Sequence, residues 1–215
     1  MNLETPAILL ASASPRRHEL LALLGIPFSI LVADVDESSA SGESPSALVQ
    51  RLSRVKALAV AARHPQKLII AADTTVALDD RMLGKPAGPA EARAMLRALR
   101  ARPHQVYSGL TVALNGHTFS ELVESTVWMR DYSEDEIVRY VGSGDPLDKA
   151  GAYAVQHNDF HPAEQVDGCF ASVMGLPLCH LAQRLHKLGL RVPVDVPAAC
   201  GAHTGFACRV FEEIS

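Results

Sequence analysis

The chain has 215 residues, 48% of them hydrophobic and 20% charged, with a formal net charge of −4 at pH 7. That length supports one substantial core, as one large domain or two lobes. The acidic balance excludes a surface built for nucleic acid, which needs clustered Lys and Arg in excess, and no apolar run approaches the roughly 18 residues of a bilayer-spanning helix. A small-molecule partner is therefore expected, with no nucleic acid and no membrane. Met1-Asn-Leu-Glu-Thr-Pro6 has neither the basic region nor the hydrophobic segment of a signal peptide, so a cytoplasmic location is expected. Cys169, Cys179, Cys200 and Cys208 show no Cys-x-x-Cys spacing, which disfavours a zinc ribbon and predicts buried or free thiols.

Along the chain, strands and helices alternate. Ala7 to Ala11 reads as a strand. Pro15 opens a helix that carries Leu20, Leu21 and Leu24 on one face and stops at Gly25. Phe28 to Val32 is the next strand, and Ser44-Pro45 opens a helix with Leu48, Leu52, Val55 and Ala59 at helical spacing. Leu68 to Ala72 is a strand, with Asp73 at its end. Gly88-Pro89 precedes a helix carrying Ala92, Met95, Leu96 and Leu99. Gln105 to Ala113 and Thr118 to Arg130 flank Asn115-Gly116, the signature of a hairpin turn, so they should be antiparallel and the sheet mixed. Ser133 to Glu136 is a capping box that opens a helix with Ile137, Val138 and Val141. A short strand is predicted near Phe170 to Met174, and a last helix from about Leu178 to Leu188. From Arg191 onward, periodicity is lost and the tail reads as an appendix to the fold.

Ser12-Ala-Ser-Pro-Arg-Arg17 places two hydroxyls, a helix-starting proline and two guanidinium groups at a strand-to-helix junction. Unpaired N–H groups at a helix start and the planar fork of Arg both suit phosphate oxygens, although an ordinary capped helix gives the same pattern. Asp73 follows an apolar strand, where ligands of open α/β sheets sit and an ionised carboxylate needs a cation or donors; capping of a turn is the plainer role. Asp34, Asp36 and Glu37 form an acidic run, either a solvated loop or the oxygen cluster a divalent cation needs. Lys56 lies at the border of an apolar helix face and could simply snorkel. Lys85 sits on the stiff turn Gly84-Lys85-Pro86, where an exposed lysine is ordinary.

The ordered set is far more specific than its members. Ser12-x-Ser14-Pro15-Arg16-Arg17, Asp36-Glu37-Ser38, Lys56-Ala57, Ala72-Asp73-Thr74, Gly84-Lys85-Pro86, the segment Pro146-Leu-Asp148-Lys149-Ala150-Gly151-Ala152-Tyr153 with Gln156, and Gly175-Leu176-Pro177-Leu178 occur in sequence. Together they resemble the Maf family of nucleoside triphosphate pyrophosphatases over about residues 7 to 190. The resemblance implies an elongated α/β fold of the Maf/ITPase-like kind: a mixed sheet flanked by helices, with two lobes around a nucleotide cleft, often as a homodimer. It also implies hydrolysis of a nucleoside triphosphate to the monophosphate and pyrophosphate with a divalent metal. Arg16, Thr74 and Gln156 look like the group acting on dTTP and UTP; the group acting on 7-methyl-GTP carries Trp, Gln and Glu there. Three features depart from the family pattern. Val55 stands where relatives commonly have Glu, the loop His157 to Pro162 replaces a Gly-rich stretch, and the tail has no counterpart. The expected organisation is thus a Maf-like domain over 1–190 and an extension of unassigned role over 191–215.

Chemistry gives the matched residues tasks. Water is far too weak an acid for a lone carboxylate to activate, so Mg²⁺ or Mn²⁺ is expected, held by Glu37 and Asp73 with phosphate oxygens, while Asp73 takes or orients the proton. Arg16, Lys56 and Lys85 would neutralise charge on the phosphates, and Ser12, Ser14 and Arg17 would help hold them. No Walker lysine motif and no Gly-x-Gly-x-x-Gly loop is present, which disfavours a P-loop NTPase or a dinucleotide dehydrogenase. The competing readings are a non-catalytic nucleotide-binding regulator of cell division, a phosphatase removing only the terminal phosphate, and a Maf-type enzyme with another nucleotide preference.

Overall fold

The structure, a computed structural model, describes residues 6–79, 81–207 and 210–211. Met1 to Thr5 and Cys208, on which two of the expectations above bear, lie outside the described residues. Seven strands form one sheet: β1 (Ile8–Leu10), β2 (Phe28–Ile30), β3 (Leu68–Leu78), β4 (Arg81–Leu83), β5 (Pro103–Leu114), β6 (His117–Met129) and β7 (Ala163–Asp167). The main order is β2-β1-β3-β5-β6-β7, parallel between β2, β1 and β3 and antiparallel beyond, so the sheet is mixed as expected. The helices are α1 (Pro15–Ala22), α2 (Pro45–Ala61), α3 (Pro89–Leu99), α4 (Glu134–Gly142), α5 (Phe170–Met174), α6 (Leu178–Lys187) and α7 (Val196–Thr204).

The two faces of the sheet are covered unequally. Ile69 and Ala71 of β3 pack with Ala57 and Val60 of α2 in a small cluster on one face. Leu68, Ile70 and Ala72 point the other way, into the main core with α1, α3, α4, α5, α6 and α7. Burial on both faces explains why β3 reads as a continuous apolar run rather than an alternating one. Side-chain parity then dictates that Asp73 emerges on the α2 face and Thr74 on the opposite face.

One edge of β3 is interrupted. β1 pairs with it through Leu10↔Ile70, and β4 rejoins it at Val76↔Leu83. Between those points no described strand lies on that side, while β5 pairs continuously along the other edge from Ile69 to Ala77. Two consecutive residues that face opposite ways can therefore both look into the same opening. Beside it, Gly109 of β5 lies opposite Asp73 in the register. A Cβ there would collide with the Val49 carbonyl of α2 and stand 2.9 Å from Ser53 Oγ, so only glycine lets α2 lie this close to the sheet.

Several expectations need correction. Asp73 does not end its strand: β3 continues through Thr74, Thr75 and Val76 to Leu78, because β5 and β4 keep pairing with it. Residues Phe170–Met174 are helical, opened by Cys169, whose sulfur accepts from Ser172 N, and closed by Gly175 at φ 120°. On α2 the buried stripe is Leu48, Val49, Leu52, Ser53, Lys56, Ala57 and Val60, so Lys56 lies within it and Val55 is exposed. The tail is not irregular. Asp195 caps α7 by accepting from Ala198 N, and Val192, Val196, Cys200 and Val210 are buried in the main core. The Asn115-Gly116 turn is formed as expected, both residues at positive φ, joining Leu114 to His117. Cys169, Cys179 and Cys200 are buried.

Candidate active site

The interruption in the sheet opens into a cleft of about 690 Å³. Ser12, Ser14, Arg16, Arg17, Glu37, Lys56, Asp73, Thr74, Lys85 and Gln156, all singled out in the sequence, line it. Its floor is the turn from β1 into α1. There Ser12 Oγ accepts from Ser14 N at 3.1 Å and from Arg17 Nη1 at 3.4 Å, while His18 Nε2 lies 2.7 Å from the Ser12 carbonyl. Ser14 precedes the helix in an extended conformation without a side-chain cap bond, and Pro15 occupies the first position, where its missing N–H costs nothing. Arg17 also donates from Nε to the Gly175 carbonyl at 2.9 Å, tying α1 to the end of α5. Gly175 adopts a positive φ of 120° there, and an added Cβ would stand 3.3 Å from Arg17 Nε. Burial pushes the Arg17 pKa below its ordinary value, opposed by the charges of Asp73 and Glu37; guanidinium chemistry keeps it cationic.

The charged centre is built on Lys56. Its Nζ lies 2.6 Å from Asp73 Oδ1 and 2.9 Å from Glu37 Oε1, bringing together residues of α2, β3 and the loop after β2. Lys56 and Asp73 are buried, whereas the Glu37 side chain is 59% exposed, so one carboxylate is fixed and the other reaches in from solvent. Of the acidic run, Glu37 alone lines the cleft. Asp36 instead accepts from Ser38 N at 2.9 Å, and that bond holds its carboxyl below the usual range.

Two carboxylates converging on one point offer hard oxygen donors, the ligand type of Mg²⁺ and Mn²⁺. Among the described residues no group of three or more His, Cys, Asp or Glu could hold a metal by itself. The fit is therefore to a cation that takes one or two carboxylates and completes its shell with substrate phosphates, as Mg²⁺ does. On the opposite face of β3, Thr74 Oγ1 lies 2.7 Å from Ser108 Oγ, and Ser108 donates to the Ser172 carbonyl at 2.8 Å.

The sequence reading gave no individual role to Asp148, Lys149 and Tyr153, which also line the cleft. Lys149 is buried and donates to Asp145 Oδ1 at 2.9 Å and Asp148 Oδ1 at 2.7 Å. Asp145 Oδ2 accepts from Tyr140 OH at 2.7 Å, and the Tyr140 phenolic oxygen in turn accepts from Ala154 N at 2.9 Å. Asp145 and Asp148 are both held below the usual carboxylate range by these bonds and by the Lys149 charge, which together outweigh the opposing effect of burial. The signal was available: a lysine preceded at four and one residues by acids in an otherwise apolar stretch. Tyr153 OH lies 2.7 Å from Nε2 of the buried His104.

Residues 7–188 match the family described as Maf-like protein. The dTTP/UTP pyrophosphatase of Myxococcus xanthus (strain DK1622) is 46% identical over 193 residues, covering 90% of this chain and 98% of the relative. The dTTP/UTP pyrophosphatases of Syntrophus aciditrophicus (strain SB) and Bacillus cereus (strain AH820) are 44% and 41% identical over 187 residues, each covering 86% of this chain and 91% and 97% of the relative.

Proposed function

The chain belongs to the Maf family, and from that membership together with its cleft we propose that it hydrolyses dTTP and UTP to the monophosphate and pyrophosphate. The observation that carries this reading is the convergence of Lys56, Asp73 and Glu37 beside the Ser12–Arg17 turn and Lys85 in one cleft. The cleft volume is within the usual range for a small-molecule site. Glu37 and Asp73 would hold Mg²⁺ or Mn²⁺. When bound, such a cation supplies Lewis acidity toward the phosphate oxygens and the attacking water.

In the reaction, a water oxygen bonds to the α phosphorus, the α–β anhydride bond breaks and pyrophosphate leaves. Asp73 Oδ1 is engaged by Lys56, which leaves Oδ2 to take the proton from the water. Lys56 Nζ, within hydrogen-bond distance of both carboxylates, orients Asp73 and offers charge to the phosphates. Arg16 and Lys85 balance the negative charge that grows on the leaving pyrophosphate, and Ser12, Ser14 and Arg17 position the chain at the start of α1. Gln156 and Thr74 meet the nucleoside. An amide that both donates and accepts matches the edge of uracil or thymine.

Pyrophosphate release measured across dTTP, UTP, CTP, GTP and 7-methyl-GTP tests the proposal. The expected result is the highest kcat/KM with dTTP and UTP. Orthophosphate as the product, binding without turnover, or a preference for 7-methyl-GTP would each overturn it.

A further inference from the structure

We propose that Ser108 is a positioning residue for base selection: it fixes the direction of the Thr74 hydroxyl so that Thr74 presents only an acceptor to the cleft. The inference deepens the functional reading above and rests on it. A serine hydroxyl has one proton. That of Ser108 goes to the Ser172 carbonyl at 2.8 Å, and Ser108 is fully buried, with no solvent to offer an alternative. The 2.7 Å contact between Ser108 Oγ and Thr74 Oγ1 must then be a bond donated by Thr74. With its proton committed inward, Thr74 Oγ1 shows lone pairs alone to the cleft that it lines.

An acceptor-only oxygen repels phosphate, which carries no proton to share at neutral pH. It suits an N–H donor. Uracil and thymine carry a proton on N3, whereas N3 of cytosine is an acceptor and would face the Thr74 lone pairs with nothing between them. Parity supports the division of labour: Asp73 faces Lys56 and Glu37 on the α2 side, and Thr74 faces the uncharged Ser108 and Ser172 carbonyl on the other. The chain Thr74 to Ser108 to Ser172 crosses from β3 through β5 to α5, so the hydroxyl direction is set by packed elements rather than by the ligand.

The test is calorimetric binding of α,β-methylene-UTP and α,β-methylene-CTP, which does not depend on turnover, alongside kcat/KM for UTP and CTP. Wild type should prefer the uridine compound in both. In Ser108→Ala the Thr74 hydroxyl can rotate and donate to cytosine N3, so the UTP:CTP ratio should fall by about tenfold, mainly through a gain with CTP, while UTP turnover stays within about threefold. An unchanged ratio overturns the proposal. So does a loss of binding common to both analogues, which would indicate a contact to the sugar. Should Ser108→Ala not fold, the half-exposed Thr74 supplies a second pair of variants: Thr74→Val should lose the preference and Thr74→Ser should keep it, and the reverse pattern overturns the relay. A wild type that prefers the uridine analogue in binding but releases no pyrophosphate counts against the hydrolase reading and leaves the relay standing.

Discussion

Lys56 and Lys149 are both buried lysines held between two carboxylates at the rim of one cleft, and they are built in opposite ways. The partners of Lys149 are local, at one and four residues before it, and Asp145 is bonded in addition by Tyr140. The partners of Lys56 come from different elements, 17 and 19 positions away in sequence, and no second side-chain donor reaches Asp73 among the described residues. A local network in which Asp145 is held by both Lys149 and Tyr140 gains rigidity. An open one, with an oxygen of Asp73 left toward the cleft, is disposed to exchange partners when a substrate arrives. On this comparison the Lys149 cluster fits a clip that holds the segment leading to Gln156, and the Lys56 cluster fits the reacting centre proposed above.

The sharpest way to break the comparison is Asp73→Asn. The change is nearly isosteric, and kcat should fall by at least about 10²-fold, as expected for loss of a general base, with cation binding lost in addition. A variant that keeps more than a tenth of wild-type kcat ends the assignment. Next, the two lysines should separate in kind. Lys56→Met should lower kcat by about tenfold or more through lost charge on the phosphates, alongside a stability cost of about 1–3 kcal/mol from leaving buried Asp73 without its cation. Lys149→Met should leave kcat within a few fold but cost about 1–3 kcal/mol in urea unfolding, by leaving Asp145 and Asp148 without their cation. Identical effects of the two substitutions on activity and stability would erase the distinction.

Removing the chain after Leu190 should destabilise the fold by about 3 kcal/mol or more, since Val192, Val196 and Cys200 leave the core and Phe206 no longer stacks on Phe170 at 5.1 Å. A truncated protein with wild-type urea stability would show that the tail contributes nothing to the core. The smallest effect concerns pH. Burial pushes His104 down to about 4 from an ordinary 6.5, so between those values the unfolded chain binds a proton that the folded chain refuses. Stability is therefore fully present above 6.5 and is lost as pH falls toward 4, by about 1.5 kcal/mol between pH 6.5 and 5. Urea unfolding of wild type against His104→Gln over that range should show the slope in the former and little of it in the latter.

These contrasts also explain what was legible in the sequence. The residues proposed for the reacting centre stood out as an ordered set, since each taken singly also reads as an ordinary cap, solvated acid or surface lysine. Lys56 was placed at the border of its helix stripe because Val55 was counted as core. The stripe is shifted by one position, since the sheet receives Ser53 and Lys56 and leaves Val55 to solvent. Phe170–Met174 misread as a strand because five residues are too few to separate a period of two from one of 3.6. What settles it is non-local, the docking of Ser108 onto the Ser172 carbonyl and of Ser125 onto that of Cys169. β4 and β7 went unseen for a related reason: three residues, and five with a single buried position, carry no pattern of their own and exist because a neighbouring edge accepts them. The network around Lys149 was hidden because two acids and one base within five residues also read as ordinary surface charge.

Gly109 carries a consequence of another order. It is uncharged and is not among the residues that line the cleft described above, yet its missing side chain sets how near α2 comes to the sheet opposite Asp73. The reach from Lys56 to its carboxylate is thus calibrated by an absent side chain on the neighbouring strand. A single methyl at that position would act as a shim under the helix, lengthening the 2.6 Å contact between Lys56 and Asp73 without altering either residue. Inherited or engineered variation in a protein like this can therefore silence the chemistry from a place where a search for polar residues would never look.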